Sequence, residues 1–459
     1  MAIRIVTVNV SVSAAPAPSI LQQTGALISQ GATTLASGTY SLLTQASDLT
    51  PLLAAAEAIT SIAWASNLVT VTTTSPLPVN FVVGLEFATT IAGNTPAGYN
   101  GTVMATVTGA STFTYPLTTD PGTATVEGTF TISGELVSMA NTFFAQGSQL
   151  GIYVLELGAG TVSTEVTALQ TFITANPAVF YAYLIPRGWD ANSSFLAFLA
   201  GYESTTSKTY FFITTTTANY ADYTALMKCA VTLIEAPTIP VNEFSIASLI
   251  WVALHYNPSG TNRVTPYAFS FVYGVTAYPI FGNNALLAAL KAANVNVIGT
   301  AAEGGLTNTM ISWGTTMDGN DFSYWYSVDW IQINLDLNIA NAVINGSNNP
   351  TNPLYYNQQG INVLQDVAVA TVQTAITDGM ANGPVVRSSL DPTDFLVALD
   401  AGTFTGDNVV NAVPFLPYTL ENPNDYAIGK YSGFTAVYIP SRGFKAIIFN
   451  VNVTDFLTQ

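Results

Sequence analysis

Charge is scarce in this chain, and positive charge scarcest. Only 8% of its 459 residues are Asp, Glu, Lys or Arg, against about 25% in ordinary soluble proteins. The 10 basic residues face 27 acidic ones, for a net charge of −17. No Lys or Arg occurs between Arg4 and Arg187. Nucleic-acid binding needs basic stripes that neutralise phosphates, so that class is excluded. The single cysteine, Cys229, rules out a disulfide framework within the chain and a thiolate zinc site. It stands near Ala225 and Met227 in a segment, Tyr220 to Ala230, that reads as a helix, and is expected to be a buried, inert thiol. The single histidine, His255, cannot build a multi-histidine metal site. It follows Trp251-Val252-Ala253-Leu254, its nearest downstream charge is Arg263, and a core or interface role is expected. The most apolar run, Ile246 to Leu254, falls far short of the roughly 20 residues of a membrane span. Met1-Ala2-Ile3-Arg4 leads into alternation and not into an apolar leader. The protein is therefore expected to stay in the cytosol of its producer unless assembly carries it elsewhere.

Apolar residues, by contrast, make up 49% of the chain. A monomer so poor in charge would disperse badly, which implies that partners cover much of its surface. Both ends alternate with a period of two, the signature of a strand. Arg4, Val6, Val8, Val10 and Val12 share one face, opposite Ile3, Ile5, Thr7, Asn9 and Ser11. Ile447, Phe449, Val451 and Val453 alternate with Ile448, Asn450, Asn452 and Thr454. A strand at a chain end needs an edge to join, and an edge on a neighbouring copy makes the protein polymerise.

Between these ends the texture changes several times. Residues 1–18 form an arm closing on Ala14-Ala15-Pro16-Ala17-Pro18, a semi-extended connector. Ser19–Gln30 and Asp48–Ser61 read as short helical or mixed segments, with Asp48 as an N-cap. Residues 67–134 are rich in Thr, Val and Gly and predict a small all-β insert, with strands at Leu68–Thr73, Phe87–Ile91, Thr102–Thr108, Thr112–Pro116 and Ala124–Ile132. Residues 135–303 alternate helices with continuous apolar strands such as Val179–Ile185, which predicts a parallel or mixed sheet covered on both faces. A strand is expected at Ala268–Val275. Residues 304–443 open with two long helices, Tyr324–Ile344 and Gly360–Met380. Strands are expected from Val385 onward, ending in the linking strand of 444–459. The fold class is α/β (α+β overall).

No constellation supports catalysis. Gly158-Ala159-Gly160 follows a strand and opens a helix, but Ser163 stands where a dinucleotide-binding turn needs its third glycine. The next strand ends in Ile185-Pro186-Arg187 with no acid for a ribose, so a plain tight turn is expected. Asp318-Gly319-Asn320-Asp321 lacks the ligand spacing of a calcium loop and reads as a turn capping the next helix. Asp391-Pro392-Thr393-Asp394 and Glu421-Asn422-Pro423-Asn424-Asp425 read as turns, Asp425 being free to meet a base across an interface. No catalytic, metal or cofactor-binding residue is assigned and no cofactor is expected. The basic residues are placed more tellingly: Lys430, Arg442 and Lys445 cluster near one end and Arg4 lies in the other arm. Basic ends on an acidic body would guide self-docking.

Several segments in order resemble the contractile-tail sheath proteins of bacteriophages, in a divergent branch. They are Ile5-Val6-Thr7-Val8-Asn9-Val10-Ser11 with Pro16 and Pro18, Ala288-Ala289-Leu290-Lys291-Ala292-Ala293-Asn294-Val295-Asn296 before Gly304-Gly305, and Trp325-Tyr326-Ser327-Val328-Asp329-Trp330-Ile331-Gln332 entering a long helix. The alternating C-terminal strand is similar to the sheath's linking arm. Through Thr95-Pro96-Ala97-Gly98-Tyr99-Asn100-Gly101 and Phe113-Thr114-Tyr115 the insert resembles a β module of phage tail proteins. The basic residue that usually stands near the Asp-Trp pair is absent from the sequence around Asp329-Trp330. The resemblance implies a non-enzymatic subunit forming hexameric rings stacked around an inner tail tube, between baseplate and tail terminator proteins. It implies a virion location after synthesis in the bacterial cytoplasm, and shortening by rigid-body rotation of subunits about flexible arms. The interface residues it implies are Ile3, Arg4, Ile5, Val6, Val8, Val10, Arg442, Lys445, Ile447, Ile448, Phe449, Val451 and Val453. Rival readings are a tail-tube or surface-layer protein, and an α/β enzyme or carbohydrate-binding tail component.

Overall fold

A computed structural model of the chain describes residues 20–147, 150–204, 206–224, 228–256, 264–279, 283–300 and 307–443. These residues form two compact units, a larger one within 21–329 together with 441–443, and a smaller one of Ile20 and 330–440. The division falls inside a helix, between Asp329 and Trp330, whereas the sequence places a boundary near 304.

The larger unit begins with β1 (Gly25–Ser29) and β2 (Tyr40–Leu43), then leaves the sheet to build a barrel. Its strands are β3 (Glu57–Ala65), β4 (Leu68–Thr73), β5 (Glu86–Ala92), β6 (Gly101–Gly109), β7 (Thr112–Pro116) and β8 (Thr129–Phe130). They close in the order β3-β4-β7-β6-β5-β8, with every pairing antiparallel. Val69, Val71, Phe87, Phe113, Tyr115 and Phe130 fill the interior. The barrel thus starts at Glu57, earlier than the expected 67, and takes in β3, part of which reads as helical in sequence. The cause is local. A register shift between Ile59 and Ser61 resets the alternation, so Ile59 and Ile62 both point inward at a helix-like spacing of three.

The chain returns through α1 (Gly134–Ala145), β9 (Ile152–Glu156), α2 (Val162–Ala175), β10 (Ala182–Leu184), α3 (Ser193–Ala200), β11 (Tyr210–Thr215), β12 (Ala230–Ile234) and α4 (Ile246–Leu254). Helix α5 (Asn284–Ala292), the antiparallel pair β13 (Ile298–Thr300) and β14 (Thr309–Ile311), and α6 (Phe322–Ser347) follow. The main sheet is mixed, in the order β12-β11-β10-β1-β9-β2. Its first five strands are parallel, and β2 joins β9 antiparallel. Ala26, Ile28, Tyr183, Phe211 and Ile213 pack with α2 and α3 through Leu169, Phe172, Phe195 and Phe198. Helices α1 and α4 contact other positions of the sheet, and every residue of β1, β10, β11 and β12 is buried. That burial on both faces explains the continuous apolar runs.

Four expectations fail here. Gly25–Ser29 is a central strand and not a helical segment. Tyr220–Ala230 is not one helix: among its described residues a 3-10 turn stands at Tyr220–Tyr223, and Ala230 already belongs to β12. Ala268–Val275 is not a strand but holds one bridge, Phe271 to Met310. Phe269 and Gly274 adopt φ of 62° and 64° there, which breaks the extended run. At Ala46–Leu52, Asp48 is the third helical residue and not the N-cap, and it pairs reciprocally with the cap Gln45.

In the smaller unit α6 continues from Trp330, α7 (Gln358–Thr377) follows, and β15 (Val385–Ser388), β16 (Asn408–Ala412) and β17 (Phe434–Val437) form a sheet in that order. β15 runs parallel to β16 and β17 antiparallel to it. The expectation of strands from Val385 onward is corrected by α8 (Pro392–Asp400), α9 (Phe415–Glu421) and α10 (Pro423–Ala427). Asp391 accepts from the N–H groups of Thr393 and Asp394 at 2.9 Å with Pro392 behind it. What reads as a turn is a helix N-cap with proline in the first turn.

Candidate functional site

The carboxyl edge of a parallel sheet is where α/β folds hold ligands, and here the chain fills that edge with its own side chains. Glu156, at the end of β9, accepts from Ser29 Oγ at 2.6 Å, Gly31 N at 2.7 Å, Thr33 Oγ1 at 2.7 Å and Gly158 N at 2.7 Å. Glu165, in the first turn of α2, accepts from Gly160 N at 3.1 Å, from Trp189 Nε1 at 3.2 Å and from Gln30. Burial pushes its carboxyl up to about 7. The N–H groups of Gly158 and Gly160 that would cradle a phosphate are therefore engaged by carboxylates. The glycine turn is a packing joint between the loops after β1 and β9.

Arg187, following β10, makes a bidentate pair with Glu235 at 2.9 and 2.8 Å, and its own N–H donates to Glu135 at 2.8 Å. Phe244 stacks beneath the guanidinium at 4.2 Å. Cys229 is fully buried just before β12, where its thiol donates to Glu203 at 2.7 Å and burial pushes its pKa up. No thiolate is available for chemistry. His255 caps the end of α4, shares a 2.7 Å hydrogen bond with the Val252 carbonyl and stacks on Trp251. Burial lowers its pKa. Asp318 is tied to Asn320 and to Trp325 Nε1 at 2.7 Å, and Asp321 accepts from Ser323 N at 2.8 Å to cap α6. Among the described residues no group of three or more His, Cys, Asp or Glu could hold a metal ion, and no helix is long and apolar enough to cross a membrane.

The most heavily built constellation is a buried ion pair. Lys228 Nζ lies 2.8 Å from Asp329 Oδ1, with side chains 2% and 0% exposed. Asp329 Oδ2 accepts from Tyr210 at 2.7 Å and Tyr181 at 3.0 Å. The ammonium also lies 4.6 Å from the centre of the Trp325 ring. Burial raises the Asp329 pKa and lowers that of Lys228, and each opposes the shift of the other. The basic partner absent around Asp329-Trp330 in sequence is thus supplied by Lys228, two residues ahead of β12. The pair fastens α6 to residues at or next to the amino ends of β10, β11 and β12. Only the tertiary fold brings Lys228 and Asp329 together. The single legible signal was an acid inside an apolar aromatic helix.

Of the residues implicated in assembly, Arg442 is described, with its guanidinium 4.3 Å over the Tyr324 ring. Ile3, Arg4, Ile5, Val6, Val8, Val10, Lys445, Ile447, Ile448, Phe449, Val451 and Val453 lie outside the described residues, as do both terminal strands. The basic cluster divides, with Lys430 in the smaller unit and Arg442 in the larger. Asp425 meets Lys430 of its own chain at 3.4 Å and accepts from Tyr418. Among the described residues β15 and β17 each have a strand on one side only, which leaves two sheet edges in the smaller unit.

No protein-family model matches the chain, and no curated protein matches it in sequence. Solved structures do match. A chain of the anti-feeding prophage baseplate aligns with 99% of this chain and 100% of its own length, at 12% identity and a TM-score of 0.52. A chain of the same system's helical sheath in the contracted state aligns over 99% of both, at 12% identity and a TM-score of 0.50. The sheath tail protein of Desulfitobacterium hafniense covers 82% of this chain and 90% of its own, at 12% identity and a TM-score of 0.41. The chain has the mixed α/β fold of a contractile-tail sheath protein.

Proposed function

We propose that this chain is a structural, non-enzymatic subunit of a contractile, phage-like tail sheath. It polymerises as stacked hexameric rings around an inner tail tube, between baseplate and terminator proteins, and contracts by rearrangement of subunits. One observation carries this reading: the likeness to a helical-sheath chain runs over 99% of both chains and is not confined to one domain. The open edges of β15 and β17 support it, because a terminal strand of a neighbouring copy can add to either through main-chain hydrogen bonds. Ile3–Val10 and Ile447–Val453 supply such strands, and the Ala14–Pro18 connector lets a body turn while its strand stays paired. The barrel serves as outward decoration. Deleting residues 444–459 tests the reading. The expected product is a folded protein, with unchanged circular dichroism, that no longer forms tubes; tubes from the deleted chain would refute the role of the arm.

A further inference from the structure

Around the end of α4 an aromatic groove of about 390 Å³ opens in the larger unit, lined by Trp251, His255, Pro266, Phe269 and Phe271 among others. His255 lies flat on Trp251, with ring centres 4.7 Å apart, and Trp251 Nε1 donates to the Gly147 carbonyl at 3.3 Å. Phe269 and Phe271 remain 43% and 45% exposed. Their backbone is fixed by β14: the Phe269 N–H donates to the Ile311 carbonyl at 2.8 Å, and the Ile311 N–H to the Ser270 carbonyl at 3.0 Å. Phe269 is thereby held at a φ of 62°, a conformation that a bulky residue rarely adopts. A fold that keeps two phenylalanines half in water, one of them on a strained backbone, points to an occupant that covers them.

We propose that this groove seats Phe444 of the same chain. The path of the backbone selects it. Residues up to Pro440 belong to the smaller unit, whereas Ser441–Gly443 have crossed to the larger one. Arg442 rests on the Tyr324 ring at 4.3 Å. Gly443 then passes so near a wall of the groove that an added Cβ would stand 2.5 Å from Pro266 Cβ, an approach that only glycine allows. The next residue is Phe444, its Cα about 3.8 Å further on, which leaves the groove within reach of its side chain. A cavity of about 150 Å³ takes a benzene ring, so the phenyl group fits with room to spare. Asn257–Arg263 also adjoin the groove in sequence, but apart from Pro258 they are polar or glycine. The seat is intramolecular and stands whether or not copies assemble. It fixes the point from which residues 445–459 depart, so that a pull on them is borne by α4 and by the strands it contacts, β10 and β11.

The test uses the full-length chain. In Phe444→Ala the amides of Phe269 and Ile311 should exchange with solvent about tenfold faster or more, because their loop loses its cover, with the circular dichroism unchanged. Phe444→Leu should restore most of the protection. A photoreactive benzoylphenylalanine at position 444 should label Trp251 or His255 of its own chain, read by mass spectrometry in a mixture of light and isotope-labelled protein. Unchanged exchange in Phe444→Ala, or labelling confined to residues outside the groove or to the second chain, would overturn the assignment. So would faster exchange in Pro16→Ser with Pro18→Ser, or in Pro258→Ser, with Phe444→Ala silent: the groove would then belong to the N-terminal connector or to the 257–263 segment.

Discussion

Asp329→Asn should be among the most damaging single changes available, and it separates the ion pair from mere packing. Asp329 is wholly buried against Lys228, which is itself 2% exposed, and both tyrosine hydroxyls point at its second oxygen. The substitution leaves the ammonium in a closed aromatic site without its counter-charge. Breaking one side of such a pair costs about 3–5 kcal/mol, whereas replacing both charges together is often close to neutral. For a unit of this size the single change translates to a fall of roughly 6–20 °C in melting temperature. Adding Lys228→Met to Asp329→Asn should return the protein to within about 2 kcal/mol of the wild type, because the amide oxygen still accepts from one tyrosine. Urea denaturation followed by circular dichroism measures all three proteins. A loss under about 1 kcal/mol for the single variant, or a double variant no better than the single, would refute the argument.

Glu165 gives a pH prediction. Burial lifts its folded pKa to about 7, above the ordinary glutamate value of 4.5. The unfolded carboxyl therefore ionises first as pH rises, and the wild type should lose stability between pH 4.5 and 7, by up to about 3 kcal/mol from this group. In Glu165→Gln that slope should flatten; stability curves of equal slope for both proteins would contradict the assignment. At the barrel seam, a Cβ on Gly128 would sit 1.8 Å from the Ala92 carbonyl oxygen. Gly128→Ala should thus cost about 1–3 kcal/mol or more and open the short strand β8, seen as lost amide protection at Ile91 and Phe130. Unchanged protection would show that the seam tolerates the shift. Because β3 and β8 pair Glu57 with Phe130, the barrel's entry and exit are adjacent. Replacing 57–130 by a short Gly-Ser linker should leave tubes intact if the barrel is decoration, and loss of tubes would assign it a contact.

Much of the architecture is legible in the sequence wherever one physical signal dominates. Thr161 caps α2 and accepts from Thr164 N, and a polar turn separates α6 from α7. Alternation in β4 and β7 follows a barrel wall with one wet face. Legibility fails where two signals share one pattern. Gly25-Ala26-Leu27-Ile28-Ser29 is buried on both faces and carries no period. The bulge in β3 imitates a helix, and Asp391-Pro392 begins a helix with the residues of a turn. The buried carboxylates were hidden for another reason. Glu156 and Glu165 are ordinary acids in sequence, and only the returning loops of 29–33 and 158–160 make them the fasteners of a sheet edge. Lys228 and Asp329 stand 101 positions apart in the chain, a proximity that no local pattern encodes.

As proposed, copies of this chain build a tube from one another without a cofactor. Negative-stain microscopy of the purified full-length protein, with no nucleotide or metal added, tests it most directly. Long hollow tubes with a regular stack of rings are the expected result. Full-length protein that stays monomeric at every concentration tried would contradict it.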